Sequence, residues 1–329
     1  MPKKRLRQFA LIGLLALLAI GCVFLLRRVL PWSVKSRVER ILVHGNLLDK
    51  RLGYLASGES VFIQAEDLIL AGELYEPPGV SPPHPAILLV HGSTLWGRRL
   101  ALYPLLAEEL ARKGYLVLAI DLRGFGDSQT PADTRSVDAW DSTKDIAAAL
   151  TFLDSLDRVD SERLFIVGHS LGGTWAIKAS EKDQRIKRVV VIGPGKRLKV
   201  SSARSREEFR ERFSKVRGLE KLLAVDTFQK IHEATFLAAV LDYFKGEHHQ
   251  PILLIDGELE SEPSKSYLDE HYGQMTQPKS FVRLEDTAHY LSVAGLEEFH
   301  WLPGVGNLMV YDRGTMKDAL SAIDAFLNE

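Results

Sequence analysis

The sequence predicts an α/β fold, with a mainly parallel sheet wrapped by helices on both faces, a helical lid inserted into it, and an N-terminal transmembrane helix ahead of it. Three observations carry that reading. Short, continuous apolar runs of strand length recur along the chain, among them "AILLV", "YLVLAI", "LFIV" and "PILLI". A strand buried on both faces of a sheet shows such a run rather than strict alternation. Helical segments separate the runs, and strands alternating with helices build parallel sheets. Each run also ends in glycine, histidine or acidic residues, and ligands bind beyond the carboxyl ends of the strands in open sheets of this kind.

The N-terminus stands apart in composition. Lys3, Lys4, Arg5 and Arg7 precede Phe9–Leu26, a run without a charge until Arg27 and Arg28. A helix crosses the hydrocarbon core with roughly 17–25 such residues, so residues 1–30 read as a tail and a single-pass membrane anchor. Two cleaved alternatives compete. One is a secretory signal; the other is a lipoprotein, because Ala19-Ile20-Gly21-Cys22 loosely resembles a cleavage box that would leave Cys22 lipidated. The apolar Val23–Leu26 beyond that point argues against both. Arg27, Arg28, Lys35 and Arg37 balance the basic residues on the other side, so the orientation stays open. The expected location is a membrane, the inner one in a bacterium. Residues 31–58 follow as a stem, with apolar Val34, Val38, Ile41, Leu42, Leu48, Leu52 and Leu55 at amphipathic spacing. Such a helix lies on a bilayer surface or packs against the folded domain.

The core is expected over residues 59–195 and 251–329. "VFIQ" and "LILAGELYEP" form an antiparallel pair turned through Glu66-Asp67, and Pro77-Pro78 stops the second strand. "PPHPAILLVHGS" gives a buried strand, followed by a helix from Leu100 to Arg112 with Gly114 as its C-terminal cap. "YLVLAI" leads into the turn-rich "DLRGFGDS", and a helix spans Val137–Leu156. The strand "RLFIVG" precedes a helix from Ser170 to Ser180, and "IKRVVVIG" follows. After the insertion come "PILLIDG", a helix near Tyr267, "SFVRLE" and a closing helix from Thr315 to Leu327. The insertion, residues 196–250, is strongly helical and reads as a lid over the strand ends. A net charge of −1 with 26% charged residues gives no bias toward nucleic acid. With Cys22 as the one cysteine, a disulfide framework is excluded.

The chemistry gathers on that rim. Gly168-His169-Ser170-Leu171-Gly172 has the spacing of a nucleophile elbow between a strand and a helix. Small residues allow the sharp turn that lifts a serine hydroxyl above the sheet. The helix beginning there aims free N–H groups at an oxyanion. A serine hydroxyl needs a base, and the base an orienting acid, in the chain order Ser, acid, His. His289 in "LEDTAHYLS" follows the last strand and fits the base, whereas His44, His232, His248, His249, His271 and His300 fall in helical, inserted or flanking sequence. Glu260, three residues past Gly257, is the preferred acid, with Glu258 and Glu262 as competitors and Asp286 shaping the turn before His289. The oxyanion would be held by the N–H of Leu171 and one from the loop after "ILLVHG", Ser93 first and Thr94 next. His91 reads as a structural loop histidine, and Asp121, Arg123 and Asp127 as braces of their loop.

"AILLVHGS", "AIDLRGFGDS", "LFIVGHSLGG", "PILLIDGELE" and "LEDTAHYLS" together resemble the α/β-hydrolase superfamily, over about Val61 to Glu329 apart from the insertion. That resemblance implies Ser170 as nucleophile, His289 as base, Leu171 and Ser93 as oxyanion donors, and Glu260 where the family more often has aspartate. It implies hydrolysis of carboxylic esters, lipid-like ones included, with thioesterase and peptidase chemistry on the same machinery. A scaffold protein that kept the fold is the non-catalytic alternative, and a dehalogenase would need aspartate in place of Ser170. The implied partners are a small-molecule or lipid-like ester and the membrane, with no metal, organic cofactor or nucleic acid, and oligomeric state is left open.

Overall fold

The structure, a computed structural model, describes residues 58–93, 97–100, 102–133, 136, 138–194, 250–260, 262–273, 279–291 and 313–329, all within the unit Asn46–Glu329. Side chains of residues 262–264, 267, 271 and 313–315 are not described. The anchor over residues 1–30, the stem up to residue 57 and the lid over 196–249 lie outside the described residues. Among the described residues no helix is long and apolar enough to cross a membrane.

The apolar runs become the interior strands. β1 (Glu59–Ala65) and β2 (Leu68–Tyr75) form the antiparallel hairpin, turned through Glu66 at φ 54°. β2 also runs antiparallel to β4 (Leu116–Ile120). The remaining strands are parallel: β3 (His84–Val90), β5 (Val159–His169), β6 (Ile186–Ile192), β7 (Ile252–Gly257) and β8 (Lys279–Leu284). The sheet order is β1-β2-β4-β3-β5-β6-β7-β8. All five residues of β4 and all six of β7 are buried, as expected where helices cover both faces.

Alternate side chains of each strand enter two separate cores. α1 (Leu102–Arg112) and α5 (Arg313–Leu327) pack with Ile87, Leu89, Val117 and Val190 on one face. α2 (Thr143–Asp154), α3 (Leu171–Lys182) and Leu268 of α4 (Glu262–Tyr272) pack with Leu88, Val90, Leu118 and Val189 on the other. Except for the antiparallel β2, the strands thus point their carboxyl ends at one rim.

Four helix starts differ from the sequence expectation: α1 begins at Leu102 rather than Leu100 and α5 at Arg313 rather than Thr315, and the two others have a visible cause. The segment after residue 137 first makes a short 3₁₀ turn, Asp138–Trp140, and α2 begins only at Thr143. The Asp141 carboxylate accepts both the N–H and the hydroxyl of Thr143, at 3.1 and 2.7 Å, which fixes the start there. α3 begins at Leu171 rather than Ser170, because Ser170 has φ 52° and ψ −117°, outside the helical region.

Behind the loop after β4, Arg123 reaches across to α2. Its N–H and Nε donate to the two carboxylate oxygens of Asp145 at 2.9 and 2.8 Å, and both side chains are at most 3% exposed. Breaking such a pair leaves a buried charge uncompensated. Asp145→Ala is therefore expected to destabilise the domain by about 3–5 kcal/mol. Urea denaturation reads this as a lower midpoint at unchanged slope. A loss under about 1 kcal/mol, the range of a solvated surface pair, would contradict the buried clamp.

Candidate active site

The elbow is built from backbone contacts. At the end of β5, Ser170 takes a positive φ that costs a non-glycine residue about 1–3 kcal/mol unless its surroundings enforce it. The Ser170 N–H donates to the Ile192 carbonyl of β6 at 2.8 Å, and its own carbonyl accepts Thr174 N–H at 3.2 Å to open α3. Gly172 shows why the motif needs glycine: a Cβ there would fall 2.3 Å from the carbonyl oxygen of Val90. On the other side of the serine, a Cβ on Gly92 would lie 2.9 Å from His169 Nδ1 and 3.1 Å from Ser170 Cβ. The loop after β3 therefore packs directly on the elbow, and Ser93 is buried just beyond that contact.

The candidate acid and base follow the last two strands, β7 and β8. After β7 the chain turns so that Glu260 N–H donates to Gly257 O at 3.1 Å, while Leu259 N–H donates to Thr287 O at 2.9 Å. This holds the acid loop against the loop after β8. Glu260 Oε1 then lies 2.5 Å from His289 Nδ1, with side chains 12% and 26% exposed. Facing a carboxylate, Nδ1 carries the ring proton and Nε2 is the basic nitrogen. Glu258, a competitor in the sequence, instead accepts the backbone N–H of Asp286 at 3.1 Å. Asp286 itself sits at φ 49°, in the turn expected of it. Glu262 opens α4, and its side chain is among those not described.

The other loops are braced around this pair. His91 is 1% exposed; its Nε2 accepts Leu122 N–H at 3.0 Å and its Nδ1 faces Gly92 O at 2.6 Å. Burial lowers its pKa, which agrees with a neutral ring that accepts a backbone proton. Arg98 forms a buried ion pair with Asp121, and Asp121 also accepts the N–H groups of Arg98 at 2.6 Å and Asp127 at 2.9 Å. Arg98 was not foreseen: in "LWGRRLALY" nothing marks which arginine turns inward. Tyr103 and His169, both fully buried beneath the site, were not foreseen either. The His169 ring packs against His289 at 4.9 Å and against Tyr290 at 5.1 Å. Among the described residues no group of three or more His, Cys, Asp or Glu side chains could hold a metal ion.

Over residues 85–288 the sequence matches the family of the alpha/beta hydrolase fold. The chain belongs to that family. An uncharacterised 31.7 kDa protein of the traX-finO intergenic region of Escherichia coli is 35% identical over 32% of this α/β-hydrolase chain and 36% of its own length. The quorum-quenching protein AidA of Acinetobacter baumannii is 31% identical over 40% of this chain and 41% of its own. The chain thus spans 36% to 41% of the length of these relatives. A solved structure of DcsB in complex with its substrate analogue superposes with a TM-score of 0.61 at 20% identity, over 83% of this chain and 99% of that one.

Within this α/β-hydrolase core, Asp256 is the one residue of β7 that places a carboxyl just before the acid loop. Burial pushes its pKa up to about 6, the nearby charge of Glu260 adds to the rise, and Arg283 opposes it. Arg283 Nη2 stands 3.4 Å from Asp256 and 2.9 Å from Asp269, so it neutralises Asp256 only in part. An unfolded aspartate titrates near pKa ~3.9. The folded chain therefore holds a proton that the unfolded chain releases between about pH 4 and 6, and stability falls as pH rises through that window. Asp256→Asn is expected to raise Tm at about pH 7.5 and to lose that advantage by about pH 4. Calorimetry at the two pH values checks it, and an equal difference at both would contradict the buried, partly compensated charge.

Proposed function

We propose that the chain is a serine hydrolase of carboxylic esters, acting through Ser170, His289 and Glu260. The observation that carries this reading is the contact of Glu260 with His289 Nδ1, on the rim that also holds the elbow of Ser170. In this reading His289 Nε2 takes the Ser170 hydroxyl proton while Oγ attacks the ester carbonyl carbon. The N–H groups of Leu171 and Ser93 hold the resulting oxyanion. Collapse of the tetrahedral species breaks the bond to the alcohol, which leaves with the proton from His289. Water then attacks the acyl-enzyme, gives its proton to His289, and the acid departs as Ser170 regains its hydrogen. Glu260 fixes the Nδ1–H tautomer and stabilises the imidazolium formed in each half-reaction.

The lid over residues 196–250 and the apolar run Phe9–Leu26 extend this reading. We infer an enzyme tethered to a membrane whose lid excludes water and selects an apolar, lipid-like acyl or alcohol group. The length and charge-free character of Phe9–Leu26 support the tether, and the helical, increasingly apolar sequence of the insertion supports the lid.

A fluorophosphonate probe is expected to label the native chain and to leave Ser170→Ala unlabelled. Ser170→Ala that still labels would remove the nucleophile assignment, and a native chain that neither labels nor hydrolyses short and long acyl esters would favour a scaffold. Glu260→Gln is expected to lower kcat by roughly 10³- to 10⁴-fold through loss of the tautomer; full activity would move the acid to Glu258 or Glu262. For the tether, the chain should sediment with membranes and resist alkaline carbonate extraction, and extraction into the soluble fraction would count against it.

A further inference from the structure

Beneath the proposed site runs a line of hydrogen bonds that ties four strand ends together. The Gly92 N–H donates to Tyr103 Oη at 2.7 Å. Tyr103 Oη lies 2.9 Å from His169 Nδ1, and His169 Nε2 lies 2.9 Å from the backbone carbonyl oxygen of His289. At the other end, the Gly92 carbonyl faces His91 Nδ1 at 2.6 Å, and His91 Nε2 accepts Leu122 N–H at 3.0 Å. The loops joined are those after β4, β3, β5 and β8.

The two backbone ends dictate every proton in between. A carbonyl oxygen only accepts, so His169 Nε2 must carry the hydrogen that bonds His289 O. In the neutral ring Nδ1 is then bare and accepts the Tyr103 hydroxyl proton, while Tyr103 Oη accepts from the Gly92 N–H. His169 is thus the neutral Nε2–H tautomer. By the same rule Leu122 N–H only donates, so His91 accepts at Nε2 and donates from Nδ1. Tyr103, His169 and His91 are each at most 1% exposed, and Tyr103 issues from α1, a helix outside the elbow. An amphipathic helix needs only an apolar side chain at this buried position. The hydroxyl is instead spent on the glycine next to Ser93 and on the histidine next to Ser170.

We propose that Tyr103 and His169 are positioning residues, which hold the oxyanion loop at Gly92 and the backbone of His289 in register with Ser170. This rests on the hydrolase reading above. They act at a distance from the reacting atoms: Tyr103 sets where the amides after Gly92 point, and His169 sets the height of the His289 backbone. The Glu260 contact then orients the ring of His289.

The test uses the full chain with Tyr103→Phe, His169→Gln and His169→Asn. Phe keeps the ring volume and deletes both hydroxyl bonds. Gln places its amide N–H where Nε2 was and keeps the bond to His289 O; Asn reaches only the Nδ1 position. Tyr103→Phe and His169→Asn are expected to lower kcat roughly 10- to 100-fold, the effect of a small misplacement at a reacting centre, with KM little changed. His169→Gln should recover most of the His169→Asn loss. Equal losses in Gln and Asn, or losses that appear in KM instead, would overturn the positioning role. Two NMR readouts do not depend on catalysis: the Nε2–H tautomer of the His169 ring, and hydrogen-exchange protection of the Gly92 amide that is lost in Tyr103→Phe. If the native chain does not hydrolyse esters but both signals behave as stated, the hydrolase reading fails and the hydrogen-bonded line stands. If Gly92 exchange is the same in Tyr103→Phe, the line itself is wrong.

Discussion

Ser170 holds backbone angles, φ 52° and ψ −117°, that an isolated chain avoids, and the site depends on the packing that enforces them. The enforcement comes from the parallel sheet. β6 offers the Ile192 carbonyl to the Ser170 N–H, and β3 offers a surface so close that only glycine fits at position 172. Both partners are interior strands buried on each face, so neither can retreat without opening a core. The strain at one residue is thereby spread over the two cores of the sheet. A looser sheet edge such as β1 could not supply it, because it has a neighbour on one side only.

The polar groups around the elbow fall into two kinds. Charged pairs brace the flanks: Arg98 with Asp121 joins the loops after β3 and β4, and Arg123 with Asp145 ties the loop after β4 to α2. Directly under Ser170 the groups are neutral: His91, His169 and Tyr103. A fixed cation there would stand beside His289 and oppose an imidazolium. The arrangement keeps full charges at the flanks and leaves Glu260 as the anion in contact with the His289 ring. The three histidines differ in surroundings more than in position. His91 and His169 are sealed in with partners on both nitrogens, and His289 is partly open with a carboxylate on one.

Much of this was legible in the sequence because it is local. Continuous apolar runs marked β3, β4, β5, β6 and β7, and the residues singled out as candidates, Ser170, Glu260 and His289, stand beyond strand ends because a parallel sheet gathers its carboxyl ends at one rim. The sequence prefers Glu260 by counting past Gly257; in the structure Glu260 N–H bonds Gly257 O and its carboxylate meets His289 Nδ1. What stayed hidden depends on contacts between distant positions. Tyr103 meets His169 across 66 residues, and Arg98 meets Asp121 across 23; neither distance leaves a periodic trace. The helix starts at Thr143 and Leu171 were misjudged for a related reason. The bonds from Thr143 to the Asp141 carboxylate in one case, and close packing against β3 and β6 in the other, decide where a helix can begin more than propensity does.

His289 is the point where these systems meet. Its ring is oriented from the β7 side by Glu260, and its backbone is tied from the β5 side by His169. A side chain held only by its ring would let the loop after β8 drift, and one held only by its backbone would let the imidazole rotate. Holding both restricts the motion of the imidazole through contacts at Nδ1 and at the backbone. Shape and polarity on the rim are then the remaining variables, and they belong to residues beyond the strand ends rather than to the sheet.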